Sequence, residues 1–306
     1  MRESTMYPKS RGIKVLLVQP HDEAASQQLF RTPESISNLV RVKPVVNQTA
    51  SFYQDFSALE KLGYYSDCLV NINAYCEKSI GSRDELYDAG IYDVPEGDRH
   101  IRVNLMLNLM LLTATFYSKN NPKLLMVISK NLPNDTEFAR VVGALQSRGI
   151  KVLLVQPHDE AASQQLFRTP ESISNLVRVK PVVNQTASFY QDFSVPTTYV
   201  DAPKTGVFWD AQDSPLPNHL DPESIFQSIK SALEGKGYFA YISIWVYADE
   251  KITFSNELLN EYRKSDIYFL PKVPGDKNLR YDRMLHDIFL WEIDTPGGHA
   301  GPSNMF

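Results

Sequence analysis

The sequence predicts a doubly wound, mostly parallel α/β fold of the Rossmann-like kind, laid out as two related and incomplete units. Three observations point there. Short apolar runs rich in β-branched residues alternate with amphipathic stretches. No cysteine framework or membrane-length run competes for the apolar residues, and long parts of the sequence occur twice.

Taken in order, Lys123 to Ser129 reads as a strand, Asp135 to Gln146 as a helix, Lys151 to Gln156 as a strand and Asp159 to Phe167 as a helix. Thr205 to Asp210 is a short apolar strand that closes on a carboxylate. Asp221 is placed to cap a helix, with Pro222 at its first position, running to about Leu233. Tyr241 to Tyr247 is dense in Ile, Val and aromatic residues and predicts a strand, followed by a polar helix over Asn256 to Lys264 and a strand at Ile267 to Leu270. Leu279, Met284, Leu285, Ile288, Phe289 and Trp291 recur at helical spacing and predict an amphipathic helix over Asn278 to Ile293. Alternation of this kind gives a parallel sheet of about five strands covered on both faces.

Composition narrows the function classes. The chain has 306 residues, 43% hydrophobic and 22% charged, enough to bury a core and too apolar for intrinsic disorder. Its net charge of −5 argues against coating nucleic acid by bulk electrostatics, though it leaves local basic patches open. Cys68 and Cys76 are too few for a disulfide framework or a four-ligand zinc site and read as reduced thiols. The first ten residues carry no apolar signal core, and the weakly polar run Val103 to Tyr117 is too short for a membrane span and holds Asn104 and Asn108. The expectation is a soluble intracellular protein, in which the sequons at Asn47 and Asn184 are silent.

The repeats set the domain organisation. Ser10 to Ser57 recurs letter for letter as Ser147 to Ser194, an identity of 48 residues at an offset of 137. Packing preserves apolar patterns but has no hold on solvated letters such as Gln27 and Gln28, so this is a very recent duplication or a misassembled chain. A drifted repeat relates Ser57-Ala-Leu-Glu60 to Ser231-Ala-Leu-Glu234, and Gly97-Asp98 with Arg102 to Gly275-Asp276 with Arg280. The expected layout is a tail with a duplicated C-terminal half (1–57, the half being 10–57), a unit lacking its first strand (58–194), a linker (195–203), and the N-terminal part of a second unit (204–306). That second part stops before an equivalent of Lys123 to Ser129. On this reading strand 205–210 completes the sheet of 58–194 as a circular permutation, and much of 211–306 packs with 10–57.

Ligands of open parallel sheets bind beyond the carboxyl ends of the strands, which makes Asp210 and Asp249 candidates; either equally serves as a turn cap. On the last helix, Asp282 and Asp287 are five apart, roughly 140° around the axis, and do not share a face. Asp287 follows Arg283 by one turn, the spacing of a surface ion pair, whereas Asp282 shares a face with His286 and is the better site candidate. Converging acids would suit Mg²⁺ or Mn²⁺. Lys272, Lys277, Arg280 and Arg283 would then grip a phosphate backbone, or form a solvated face. No glycine-rich dinucleotide loop, P-loop or His-Glu-x-x-His pattern occurs, and nothing points to the sugar cleft a paired-carboxylate glycosidase needs.

Five stretches taken together resemble the NYN domain of plant proteins related to meiosis regulator and mRNA stability factor 1. They are Lys204 to Asp210, Asp221 to Glu234, Met284 to Trp291, Leu125 to Ser129 and Lys151 to Pro157, and the likeness covers nearly all of 10–294 in permuted order. The resemblance implies a PIN-like ribonuclease of RNA metabolism and gene regulation, single-stranded RNA as partner, and metal-dependent hydrolysis of phosphodiesters with Mg²⁺ or Mn²⁺. It implies catalytic roles for Asp210, Asp282 and Asp287 and a metal held by Asp210 and Asp282; Asp249, a candidate from its place at a strand end, completes the expected metal set. It also implies a cytoplasmic site with peroxisomal association, although Ser303 to Phe306 is not a Ser-Lys-Leu address. Protein partners and self-association stay open. Where the family reads Ile-Ser-Gly-Asp, this chain reads Ile128-Ser-Lys-Asn131, and the first unit has Asn104 and Leu109 where the second has Asp282 and Asp287. These departures imply cleavage that is weak or lost, with a non-catalytic RNA-binding or protein-interaction module as the competing class.

Overall fold

A computed structural model describes residues 12–18, 69–75, 84, 87, 91–94, 98–115, 124–129, 136–155, 192–197, 204–248, 254–271, 277–295 and 304–305. The chain divides into two compact units, Met1–Lys180 and Pro181–Phe306. The first holds β1 (Gly12–Val18), β2 (Leu69–Tyr75), β3 (Ile91–Val94), α1 (Arg99–Thr115), β4 (Leu124–Ile128), α2 (Thr136–Ser147) and β5 (Lys151–Val155). The second holds β6 (Lys204–Asp210), α3 (Pro222–Glu234), β7 (Tyr241–Tyr247), α4 (Asn256–Lys264), β8 (Ile267–Phe269), α5 (Lys277–Asp294) and β9 (Asn304–Met305). The expected helix at Asp159 to Phe167 lies outside the described residues. Among the described residues, no helix is long and apolar enough to cross a membrane.

Each unit carries its own parallel sheet, ordered β3-β2-β1-β4-β5 in the first and β8-β7-β6-β9 in the second. The order corrects the permutation expectation: the central place of the first sheet is taken by β1, between Leu69–Tyr75 and Leu124–Ile128, while β6 pairs with β7 in its own sheet. The heptapeptide Gly-Ile-Lys-Val-Leu-Leu-Val therefore serves twice. As 12–18 it is the middle strand; as 149–155 it supplies edge strand β5, with Gly149 at φ +76° turning the chain out of α2. Its β-branched and aliphatic letters suit any strand of a sheet covered on both faces, so composition does not choose between the two places.

Local chemistry explains the elements of the second unit. Asp221 accepts a hydrogen bond from Ser224 N at 2.9 Å and from Ser224 Oγ at 2.7 Å, while Pro222, which has no N–H to satisfy, opens α3. Ser255 caps α4 by accepting from Leu258 N at 3.3 Å, and Arg263 and Lys264 stand in its last turn, where the helix dipole favours cations. Along β7 the residues alternate between faces. Ile242, Ile244 and Val246 pack with Ile225 and Leu233 of α3, Leu259 and Tyr262 of α4, and Ile267 and Phe269 of β8.

The other face is aromatic. Trp245 lies 4.7 Å from Phe193 and 4.8 Å from Tyr268, ring centre to ring centre, and Phe208 meets Trp291 of α5 edge-on at 6.0 Å. Gly206 permits that approach, because a Cβ there would stand 2.9 Å from Phe208 Cε2 and 3.1 Å from the Trp291 ring. Helices thus cover both faces of this sheet, and α5 is held against β6, where the candidate acids lie.

Candidate functional site

Asp210 is the last residue of β6, at the carboxyl end where the fold predicts a ligand. A partner occupies that end. Arg280, in the first turn of α5, donates from Nε to Asp210 Oδ1 at 3.0 Å and from Nη2 to Oδ2 at 3.2 Å, a two-pronged pair. The two side chains are 9% and 10% exposed, so the pair is largely withdrawn from water. Gln212 N also donates to Asp210 Oδ1 at 3.1 Å, and Ser214 N to the Asp210 carbonyl at 3.0 Å. Asp210 therefore caps the turn after the strand and anchors a helix at once.

Two more acid–base pairs flank it. Lys277 and Tyr281 both donate to Asp213 Oδ2, the tyrosine at 2.5 Å. Those hydrogen bonds hold the Asp213 carboxyl below the usual carboxylate range, and Asp213 in turn raises the Lys277 ammonium above its ordinary value. Further along α5, Asp287 is fully buried and accepts at Oδ2 from Arg283 Nε at 3.2 Å and from the Tyr247 hydroxyl at 3.1 Å. The spacing of Arg283 and Asp287 predicts an ion pair, and the pair forms; the surface position is corrected, since the aromatic face of β7 covers it.

Asp282 is half-buried on the first turns of α5, and His286, on its face, is 1% exposed. Asp249 and Lys272 lie outside the described residues. The site as placed is a row of three pairs along α5: Lys277 with Asp213, Arg280 with Asp210, and Arg283 with Asp287. Lys277, Arg280 and Arg283, three of the four cations expected to grip a phosphate backbone, are each turned toward an acid.

Mg²⁺ and Mn²⁺ are drawn to carboxylates whose negative charge is not already matched by a fixed cation. Both oxygens of Asp210 already accept from Arg280, and Asp287 is closed off beneath Tyr247 and Arg283. Asp210 and Asp287 so arranged do not suit a divalent cation. Among the described residues, no three His, Cys, Asp or Glu side chains gather into a metal-sized group.

The first unit repeats the helix and its arginine. Arg102 of α1, the repeat partner of Arg280, is 3% exposed, yet β1 leads into Gln19-Pro20 where β6 ends in Asp210. Asp98 caps α1 by accepting from Ile101 N at 2.9 Å.

Sequence reasoning missed the Asp210–Arg280 pair and the roles of Tyr247, Asp213 and Tyr281. One signal was present: Arg280, Arg283 and Asp287 recur at helical spacing, which sets them toward one side of α5. No protein-family model matches the chain, and no curated protein matches it either.

Proposed function

We propose that the chain is an NYN-type, PIN-like protein of RNA metabolism and gene regulation that engages single-stranded RNA without cutting it. The RNA half of this reading is supported by the sequence resemblance carried by Lys204 to Asp210, Leu125 to Ser129 and Met284 to Trp291. The loss of cleavage is supported by one observation, the two-pronged pairing of Asp210 with Arg280. A guanidinium on both oxygens supplies the positive charge that a metal would bring, without a water to activate.

The test uses a fluorescent single-stranded RNA and the full chain, followed by anisotropy at several salt concentrations and by cleavage with Mn²⁺. The expected result is an anisotropy rise that weakens as salt increases, with no Mn²⁺-dependent cleavage above that of Asp210→Asn. Cleavage by the wild type that Asp210→Asn lacks would overturn the loss of activity. An unchanged anisotropy at low salt would overturn the engagement of RNA.

A further inference from the structure

The two sheets differ beside their central strands. In the first, β4 pairs with β1 in parallel over five residues, Leu124 to Ile128 against Ile13 to Leu17. In the second, among the described residues, the same side of β6 meets only Asn304 and Met305, opposite Thr205 and Gly206. Among the described residues, no strand pairs with Val207 to Asp210 on that side.

The direction of the backbone groups there follows from the ladder. Ala211 N donates to Tyr247 O, so by the two-residue period of a strand Thr205, Val207 and Trp209 turn their N–H toward β7. Gly206, Phe208 and Asp210 turn theirs to the other side: Gly206 faces the short pairing with Asn304–Met305, and Phe208 and Asp210 lie beyond it, where no strand pairs among the described residues. Val207 and Trp209, on the α3 and α4 face, are only half-buried beside it. Asp210, the one acid on the strand, is neutralised by Arg280 and gives an incoming strand no charge to avoid.

We infer that this edge of β6 is a strand-addition site for an extended apolar segment of a partner protein. The segment adds in parallel and displaces the two-residue pairing of Asn304–Met305. Its chemistry follows from the strand that fills the corresponding place in the first sheet: five consecutive apolar residues, buried on both faces, of the type Leu-Leu-Met-Val-Ile. Main-chain hydrogen bonds supply the affinity and alternate side chains the selectivity. A two-residue ladder is a small obstacle, because each net hydrogen bond contributes about 1 kcal/mol.

The probe is a fluorescent peptide of sequence Lys-Leu-Leu-Met-Val-Ile-Ser, added to the full chain and followed by anisotropy and by hydrogen exchange. The expected result is saturable binding with new protection at the amides of Phe208 and Asp210. Two further peptides carry backbone N-methyl groups, one at the second and fourth apolar residues, the other at the third and fifth. One should bind like the parent and the other at least tenfold more weakly, because only alternate N–H groups face β6. Equal behaviour of the two methylated peptides would overturn the proposal in favour of unspecific apolar contact, as would protection that falls on β3 or β5. A doubled mass in light scattering, with the β6 amides protected before peptide is added, would overturn it in favour of a second copy of this chain.

Discussion

Replacing Asp210 by Asn tests what that acid does for the fold. The substitution keeps the shape and one acceptor oxygen but removes the charge, leaving the Arg280 guanidinium 9% exposed with no counter-ion on β6. Breaking a buried pair from one side costs about 3 to 5 kcal/mol. The amide oxygen still accepts one hydrogen bond, so a loss of about 3 kcal/mol is expected. All three tryptophans, Trp209, Trp245 and Trp291, belong to the second unit, so intrinsic fluorescence during urea unfolding reports on that unit alone. The double variant Asp210→Leu with Arg280→Met removes both charges and should recover most of the loss, giving a large coupling in the cycle. If Asp210→Asn unfolds at the wild-type urea concentration, or if the two single losses simply add, the acid does not anchor α5.

Three other expectations are tested by the same unfolding assay or by titration. Gly206→Ala puts a methyl group 2.9 Å from Phe208 and 3.1 Å from Trp291, and should cost about 1 to 3 kcal/mol with a shift in tryptophan emission. The Asp213 carboxyl is held below its unfolded value by Lys277 and Tyr281, so its contribution is fully present above about pH 4 and is lost as pH falls through the lowered value. Asp213→Asn should therefore flatten the acid limb of a stability-against-pH curve, and the alkaline limb too, because Asp213 is what raises the Lys277 ammonium. Burial and the hydrogen bond to Asp266 push the Tyr241 hydroxyl up to about 12; in Asp266→Ala the absorbance of that tyrosine should titrate at lower pH.

What was legible in the sequence was what local chemistry decides. Tyr241–Tyr247 and Asn256–Lys264 form with the predicted boundaries, because a dense β-branched and aromatic run and a Ser255 cap each fix an end. Asp221 and Pro222 announced α3 in the same way. β2 was not foreseen, since Asn71 and Asn73 interrupt its apolar pattern, and neither was β9, which is two residues long. The position of a strand within its sheet is a tertiary matter. One heptapeptide lies in the middle as 12–18 and at the edge as 149–155, with neighbours rather than its own letters making the difference. The candidate site divides along the same line. Asp210 could be found from its place at a strand end, but the arginine that engages it is 70 residues further along the chain.

The account turns on whether Asp210 belongs to Arg280 or to a metal. Electron paramagnetic resonance of Mn²⁺ added to the full chain decides between them, because bound Mn²⁺ loses the sharp signal of the free ion. The predicted result is a free-ion signal that rises identically with wild type and with Asp210→Asn. A wild type that withholds about one equivalent of Mn²⁺, released by Asp210→Asn, would contradict it.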